Sequence, residues 1–342
     1  MSDDHESGSA SSRPSARAIL TAAIGLLSVG LLFWVAPPGE VIDQISDMSS
    51  GWVLAAIGLE LASCACYPIL FRRFFPEPSP GTGRQVAWMS MGAGAVLPGG
   101  NFASAGATGL LLRRHGIGTR QLLERCGALL SLLTAFGFLL NATFAALLLI
   151  GVSGGPHDLE HTGGPILVSV IVLGSAALTI VVGRRYGARA PRLVRWIAAG
   201  LEGGWQALFR PHWRLLGAAG FLCFDMAALW AACQATGHPI GVPALAIAYF
   251  IGYLATMIPM PAGLGVLDSG LAGALVLYGF SPAASVGAVL VYHAIAIWVP
   301  GVGGLIAWAP TRFGRTARAR RAPAVALPAL APLQLATVAD EA

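Results

Sequence analysis

The sequence predicts an all-α membrane protein that crosses the bilayer about six times and carries two further broken hairpins, and three observations support this. Of its 342 residues, 56% are hydrophobic and 11% are charged, and the mean hydropathy is +0.70. Soluble domains of this size are far less apolar, so lipid must solvate most of the chain. Apolar runs of bilayer length recur along the sequence, and arginines cluster in alternate connections between them.

Six apolar runs approach or exceed the roughly 20 residues that a helix needs to cross about 30 Å of hydrocarbon. They are residues 19–36, 52–71, 126–150, 166–183, 215–235 and 283–309. The first run is longer than the core of a signal peptide and ends at Pro37 and Pro38 without a cleavage pattern, so we expect an uncleaved span. Residues 1–17 are polar and residues 311–342 are basic and then Ala/Pro-rich, and we expect both to be cytoplasmic tails.

Two further apolar segments are interrupted by Pro and Gly. Their halves are residues 86–97 and 102–112 in the first segment and residues 244–258 and 266–277 in the second. Each half is short for a full crossing. A Pro/Gly break frees backbone groups that lipid cannot satisfy, so each break must lie against protein or a water-filled cavity.

The charged residues predict the topology through the positive-inside rule. Arginine clusters, which we place in the cytoplasm, lie within residues 13–17, 72–84, 113–125, 184–214 and 312–321. The acidic loops at residues 40–47 and 158–160 are placed outside. The first broken segment then enters from and returns to the cytoplasm, while the second enters from and returns to the outside. We therefore expect two re-entrant hairpins of opposite orientation and a multi-pass protein with both termini in the cytoplasm.

A weak internal repeat agrees with this topology. A shift of 163 residues aligns Pro98 with Pro261, and with it Gly100 with Gly263, Leu112 with Leu275 and Gly116 with Gly279. Opposed broken hairpins are typical of inverted-topology repeats, in which the discontinuous helices line a site near the midplane. We predict halves at about residues 51–183 and 214–309. The alternative is that Pro and Gly only permit helix kinks and close packing.

These segments resemble a known family. Residues 95–116, AVLPGGNFASAGATGLLLRRHG, and residues 258–271, IPMPAGLGVLDSGL, are similar to the lysylphosphatidylglycerol synthase transmembrane, or flippase-like, family of bacterial membrane proteins. Residues 60–73 and the stretch from Tyr292 add to the resemblance, which covers most of residues 18–310. In this family the position of Asp268 usually holds Glu, and Arg commonly stands at the position of His293.

The resemblance implies lipid movement between leaflets. Family members fused to a cytosolic aminoacyl-transferase domain make and translocate aminoacylated lipid. This chain ends about 30 residues after its last span, so we expect the translocating part without that domain.

Four ionisable residues inside apolar runs are the strongest functional candidates, because each costs several kcal/mol unless it is paired or hydrated. They are Glu60, Asp225, Asp268 and His293. We expect Asp268 and His293 to pair across the second hairpin and to bind a polar head group or a coupling proton. The alternative is a structural ion pair that locks the hairpin. Glu60 and Asp225 could instead hydrogen-bond freed backbone at a hairpin tip.

The residues of the two breaks are the expected lining of a lipid-binding cavity. They are Pro98, Gly99, Gly100 and Asn101 in the first hairpin and Pro259, Pro261, Gly263 and Gly265 in the second. Arg113 and Arg114 suit an anionic phosphate, since a guanidinium offers planar paired donors, although edge arginines also serve topology and snorkelling. The pattern of residues 189–210 predicts an amphipathic helix that lies on the membrane surface, or a simple linker at the same place.

Several classes of function are disfavoured. The chain has no lysine, which excludes a lysine nucleophile or Schiff base, and it carries none of the common hydrolase, metalloprotease or P-loop motifs. The five cysteines show no metal-ligand spacing, and we expect all of them to be buried packing residues. The basic residues are explained by topology, so nucleic-acid binding is not expected. We expect a protein that is not an enzyme and has no cofactor.

The functional prediction is a flippase, or related amphiphile transporter, in the bacterial inner membrane. Its partners would be membrane lipids, anionic or aminoacylated phospholipid or glycolipid, with a homo-oligomer or an envelope-synthesis partner as further possibilities. One alternative is a proton- or ion-coupled exporter of a small solute. Another is a non-catalytic accessory subunit of envelope lipid synthesis.

Overall fold

A computed structural model describes residues 38–97, 100–152, 159–210, 212–255 and 266–321 of the chain. Within these ranges every secondary-structure element is an α-helix or a short 3-10 helix, and no strand occurs. The α-helices are α1 (Pro38–Ser46), α2 (Ser50–Phe74), α3 (Pro80–Val96), α4 (Asn101–Leu112), α5 (Thr119–Leu149), α6 (Leu159–Tyr186), α7 (Arg192–Phe209), α8 (Leu216–Ala235), α9 (Val242–Ala255), α10 (Val266–Leu277) and α11 (Pro282–Arg321).

Five of these helices are long and apolar enough to cross a membrane, namely α2, α5, α6, α8 and α11. They contain five of the six predicted runs, and the first run lies outside the described residues. Their outer faces carry large exposed apolar side chains, such as Trp298 and Leu305 of α11, which are 70% and 65% exposed. Lipid must cover such surface. The prediction of an all-α polytopic membrane protein is confirmed.

Four shorter helices form the two broken segments. Helices α3 and α4 have 17 and 12 residues and pack against each other, as do α9 and α10, with 14 and 12 residues. At 1.5 Å per residue their lengths are about 26, 18, 21 and 18 Å, all less than the bilayer core of about 30 Å. These lengths fit helical hairpins that enter the bilayer and turn back. Residues 98–99 and 256–265, which contain most of the two breaks, lie outside the described residues.

Several helix ends differ from the predicted runs, and for two of them the sequence supplies the reason. Helix α3 begins six residues before the predicted start at residue 86, because Ser79 caps it by accepting a hydrogen bond from the Thr82 amide and Pro80 occupies its first turn. Helix α11 continues past the predicted end of the last span, at residue 309, to Arg321. Arg and Ala, which dominate this extension, both favour helix.

A helix that the sequence analysis did not predict lies in the first acidic loop. Helix α1 buries Val41 and packs against α11. Gln44 of α1 also donates to the carbonyl of Thr236, just past the end of α8. The short helix therefore covers the ends of two spans.

The order of helices in the first half of the chain recurs in the second half, where the helices run in the opposite direction. The shift of 163 residues places the starts of α2 to α5 within three residues of the starts of α8 to α11. Helices α2 and α8 pack closely and run antiparallel: the Ser49 amide donates to the Ala235 carbonyl at 3.1 Å, and the Ser63 hydroxyl donates to the Phe221 carbonyl at 2.8 Å. Helix α3 packs against α11, and its counterpart α9 packs against α5. This exchange of contacts is that of an inverted repeat related by a pseudo-two-fold axis.

Helices α6 and α7 connect the halves and have no counterpart in the second half as described. Helix α7 packs a face of small residues on α5, where the Gly200 and Gly127 backbones come within van der Waals contact. Several of its large apolar residues remain uncovered, with Leu193 68% and Ile197 48% exposed. This pattern fits the interfacial amphipathic helix predicted for residues 189–210.

The prediction that all five cysteines are buried was wrong. Cys64, Cys126 and Cys233 are buried and Cys66 is half-buried, but Cys223 is exposed. Cys223 lies on the outward side of α8 beside Phe224, which is 39% exposed, so its small apolar side chain faces the surface that lipid covers.

Candidate functional site

The site is assembled between α2 and α8, which pack closely along their length. A Cβ atom built at Gly217 of α8 would lie 2.7 Å from the Leu70 amide nitrogen and 2.8 Å from the Cys66 carbonyl oxygen. Only glycine permits this contact between the two backbones. The approach brings Glu60, in the middle of α2, and Asp225, in the middle of α8, within hydrogen-bonding distance of each other.

Asp225 is held by two phenols from its own half of the chain. Tyr249 of α9 donates to Oδ2 at 2.6 Å, and Tyr292 of α11 donates to Oδ1 at 2.8 Å. Both tyrosines are buried, while Asp225 is partly accessible. Two hydrogen bonds of this length suit an ionised carboxylate, because charge-assisted bonds to phenols are short and strong.

Glu60 occupies a more enclosed position than Asp225. Its side chain is 4% exposed, and the Cys64 thiol, one turn along α2, donates to Oε1 at 3.4 Å. Oε2 is fully buried and has no hydrogen-bond donor among the described residues. A buried carboxyl oxygen without a donor is costly, so this atom requires a partner that the neighbouring side chains do not supply.

Asp268 and His293 form the second part of the site. Oδ1 of Asp268, in the first turn of α10, lies 2.7 Å from Nδ1 of His293 on α11, and both side chains are buried. Tyr292, which donates to Asp225, directly precedes His293 in α11, so α11 joins the two parts of the site. The four ionisable residues singled out in the sequence thus lie in one place.

We call this group the polar cluster: Glu60, Asp225, Tyr249, Asp268, Tyr292 and His293. Five of its six members belong to the second half of the chain, and Glu60 alone comes from the first. In the first half, Tyr67 of α2 is instead buried against the rings of Phe71 and Phe221. The inverted repeat is therefore symmetric in backbone and asymmetric in charge.

Of the eight residues predicted at the two breaks, the structure describes Gly100 and Asn101. Gly100 has a left-handed backbone with φ of +47°, which glycine tolerates, and Asn101 begins α4 with an exposed side chain. No described contact of the cluster involves either residue. Pro98, Gly99, Pro259, Pro261, Gly263 and Gly265 lie outside the described residues.

The predicted arginine pair is only partly described. Arg113 forms a 3-10 turn after α4, is exposed, and donates to the Thr119 hydroxyl at 2.8 Å. The side chain of Arg114 is outside the described part. Arg113 therefore contacts the first residue of α5 and also remains accessible at the surface.

Sequence reasoning did not single out Tyr249, and it noted Tyr292 only through the family resemblance. The available signal was a tyrosine within an apolar run, because a buried phenol normally requires a hydrogen-bond partner.

Across the described residues, no three His, Cys, Asp or Glu side chains are grouped to hold a metal ion.

A separate cavity of about 290 Å³ lies between α5, α6 and α7. Its lining is mainly apolar, with four hydroxyl groups from Ser131, Thr134, Ser175 and Thr179, and α7 contributes Trp205. Its walls offer no charged group, which distinguishes it from the polar cluster.

Comparison with known proteins identifies one family. The family model described as "Lysylphosphatidylglycerol synthase TM region" matches residues 19–304. No curated protein matches the chain.

Proposed function

The chain belongs to the lysylphosphatidylglycerol synthase transmembrane family, and on that premise we propose that it is a flippase for a polar-headed lipid or related amphiphile. It would move this lipid between the leaflets of the bacterial inner membrane, with both chain termini in the cytoplasm. The family connects the protein with membrane lipid. The site, rather than the family, is the reason to propose transport of that lipid.

The observation that carries the proposal is the polar cluster itself. Carboxyl, imidazole and phenol groups are expensive inside a membrane and are retained there when they line a path or bind a ligand. Here they lie between two inverted halves, beside a broken hairpin, where such transporters place their substrate sites. The partial accessibility of Asp225 supports the proposal that a head group reaches the cluster.

The mechanism we propose is alternating exposure of this cluster to the two faces of the membrane. The halves would rock against each other at the α2–α8 contact, while the head group passes the cluster and the acyl chains stay in lipid. The proposed cargo is an anionic or aminoacylated phospholipid or a glycolipid. The accessible Arg113 would meet its phosphate at the cytoplasmic end. The protein would act without catalysis and without a cofactor.

A second candidate is an exporter of a small solute. The tight enclosure of Asp268 and His293, which are 4% and 7% exposed, favours it because a compact solute needs less room than a lipid head group. A gradient that drives solute movement in vesicles without lipid movement would support this candidate.

Leaflet exchange in liposomes tests the flippase proposal. The purified protein is reconstituted with fluorescent anionic, zwitterionic or aminoacylated lipid, and a membrane-impermeant quencher reports how fast labelled lipid changes leaflet. We expect rapid exchange with the wild type and a large loss with Asp268→Asn. The matched control is Asp47→Asn, at an exposed position just after α1, which should exchange lipid like the wild type. Exchange no faster than in empty liposomes for every lipid would overturn the proposal.

A further inference from the structure

We infer that Glu60 and Asp225 form a proton-binding site, in which a carboxylic acid on Glu60 donates to the carboxylate of Asp225. We infer further that binding and release of this proton couple lipid movement to the proton gradient. The coupling rests on the proposed function, whereas the proton site does not.

The hydrogen bonds around the pair define where the proton lies. Both oxygens of Asp225 already accept bonds from tyrosines, so Asp225 acts as the acceptor. Oε2 of Glu60 is fully buried without a donor among the described residues, and its neighbour is the Asp225 carboxyl group. A proton on Glu60 turns this unsatisfied oxygen into a donor and removes the repulsion between two adjacent carboxylates.

Among the described residues, the groups that face the pair include no arginine. They are the Cys64 thiol on α2, the Tyr249 and Tyr292 hydroxyls on α9 and α11, and Asp268 on α10, whose carboxylate contacts His293. His293 is thus engaged away from the pair, and no arginine contacts the pair in the described part of the chain.

A proton fits this pair better than a metal cation does. Hard cations such as Ca²⁺ and Mg²⁺ require about six oxygen ligands. Among the described residues, the cluster supplies two adjacent carboxyl groups and no set of three ligands arranged around an ion. A proton needs only a donor oxygen and an acceptor oxygen, which this pair provides.

The location of the pair gives the proton a mechanical consequence. Glu60 lies on the first half of the inverted repeat and Asp225 on the second, across the antiparallel contact of α2 and α8. The protonated pair holds the two halves together by a hydrogen bond. Loss of the proton leaves two like charges at the same contact and favours separation of the halves, which is the motion that alternating exposure requires.

Infrared spectroscopy tests the proton site without reference to transport. The purified wild type at neutral pH should show the C=O stretch of a protonated carboxyl group, and Glu60→Gln should lose that band. The glutamine amide can still donate to Asp225, so this variant is expected to fold. Glu202→Gln serves as the control, because Glu202 binds Arg184 on the exposed surface, and it should keep the band. A spectrum that Glu60→Gln leaves unchanged would overturn the proton site.

Reconstituted liposomes test the coupling. With an imposed pH gradient, the wild type should exchange lipid at least tenfold faster than without it, and a pH-sensitive dye inside should report proton movement. For Glu60→Gln we expect lipid to exchange equally fast with and without the gradient, whereas Glu202→Gln should match the wild type. Equal wild-type rates with and without the gradient would overturn the coupling and leave the flippase proposal intact. Absence of any lipid movement, with the infrared band present, would overturn the flippase proposal and the coupling together and leave the proton site intact.

Discussion

A methyl group added at Gly217 tests whether the contact of α2 and α8 builds the polar cluster. The Cβ of Gly217→Ala would stand 2.7 Å from the Leu70 nitrogen and 2.8 Å from the Cys66 oxygen. Ordinary contacts lie at about 3.5–4.0 Å, and backbone atoms inside a helix cannot rotate away. The two helices must therefore separate by nearly 1 Å, estimated from the same contact distances.

The cost follows from this separation. Overpacking of a well-packed contact costs about 1–3 kcal/mol, and 1 kcal/mol corresponds to about 2–4 °C in melting temperature for domains of 150–250 residues. We expect Gly217→Ala to melt at least a few degrees below the wild type in detergent. Because the same separation moves Glu60 away from Asp225, lipid exchange in liposomes should fall as well.

Two further alanine variants are matched controls for this prediction. At Gly220 the nearest atom is the Cys66 sulfur, at 2.5 Å from an added Cβ, and a side chain can rotate, so Gly220→Ala should cost less than Gly217→Ala. At Gly58 nothing lies within 4 Å of an added Cβ. Since alanine favours helix over glycine by about 1 kcal/mol, Gly58→Ala should melt at or above the wild-type temperature. The reasoning is refuted if Gly217→Ala and Gly58→Ala melt together and exchange lipid equally fast.

Three other predictions concern the site, the surface and the topology. Tyr292→Phe removes one of the two tyrosine hydrogen bonds to Asp225. Because hydrogen bonds to charged groups contribute about 1.5–3 kcal/mol, we expect at least a tenfold loss of lipid exchange. An unchanged rate would contradict the role of the phenol. Glu77 lies in the loop between α2 and α3, where burial raises its pKa but the hydrogen bond and charge of Arg125 outweigh burial and leave the pKa below its usual value. The ion pair therefore stabilises the protein above the ordinary glutamate pKa and loses this effect as the pH falls through the lowered value. Glu77→Gln should accordingly melt below the wild type at neutral pH and together with it in acid, and a difference that persists in acid would count against the pair. In a cysteine-free background, Asp47→Cys should react with an impermeant thiol reagent added outside cells and Glu77→Cys should not, and the reverse labelling would invert the predicted topology.

The long helices were predictable because their signal is local. A run such as residues 126–150 must be helical in lipid, since its backbone groups have no other partners, and α5 spans Thr119–Leu149. The predicted bounds of α10, residues 266–277, agree with the structure because they too follow from a local apolar run. The start of α3 and the presence of α1 were missed because a cap and a short surface helix are stabilised by few residues and by packing against other elements.

The site was predictable only as a set of separate residues. Glu60 and Asp225 are conspicuous in apolar sequence, but nothing in the sequence states that they face each other or that Tyr249 binds one of them. The same sequence signal led us to expect that Cys223 is buried, although it faces outward. Which side of a uniformly apolar helix faces protein is not encoded in its hydrophobic pattern, because lipid and protein interior are similarly apolar.

By itself, the sequence determined that this protein is helical, resides in a membrane, carries two broken hairpins and places ionisable groups within its spans, since each property follows from composition, length and local backbone chemistry. Only the tertiary structure decided that α2 and α8 run antiparallel and in close contact, and that Glu60 of the first half thereby faces Asp225 of the second. The physical reason is distance along the chain. The two carboxyl groups are 165 residues apart in sequence, and their meeting depends on the packing of whole helices, which no local pattern contains.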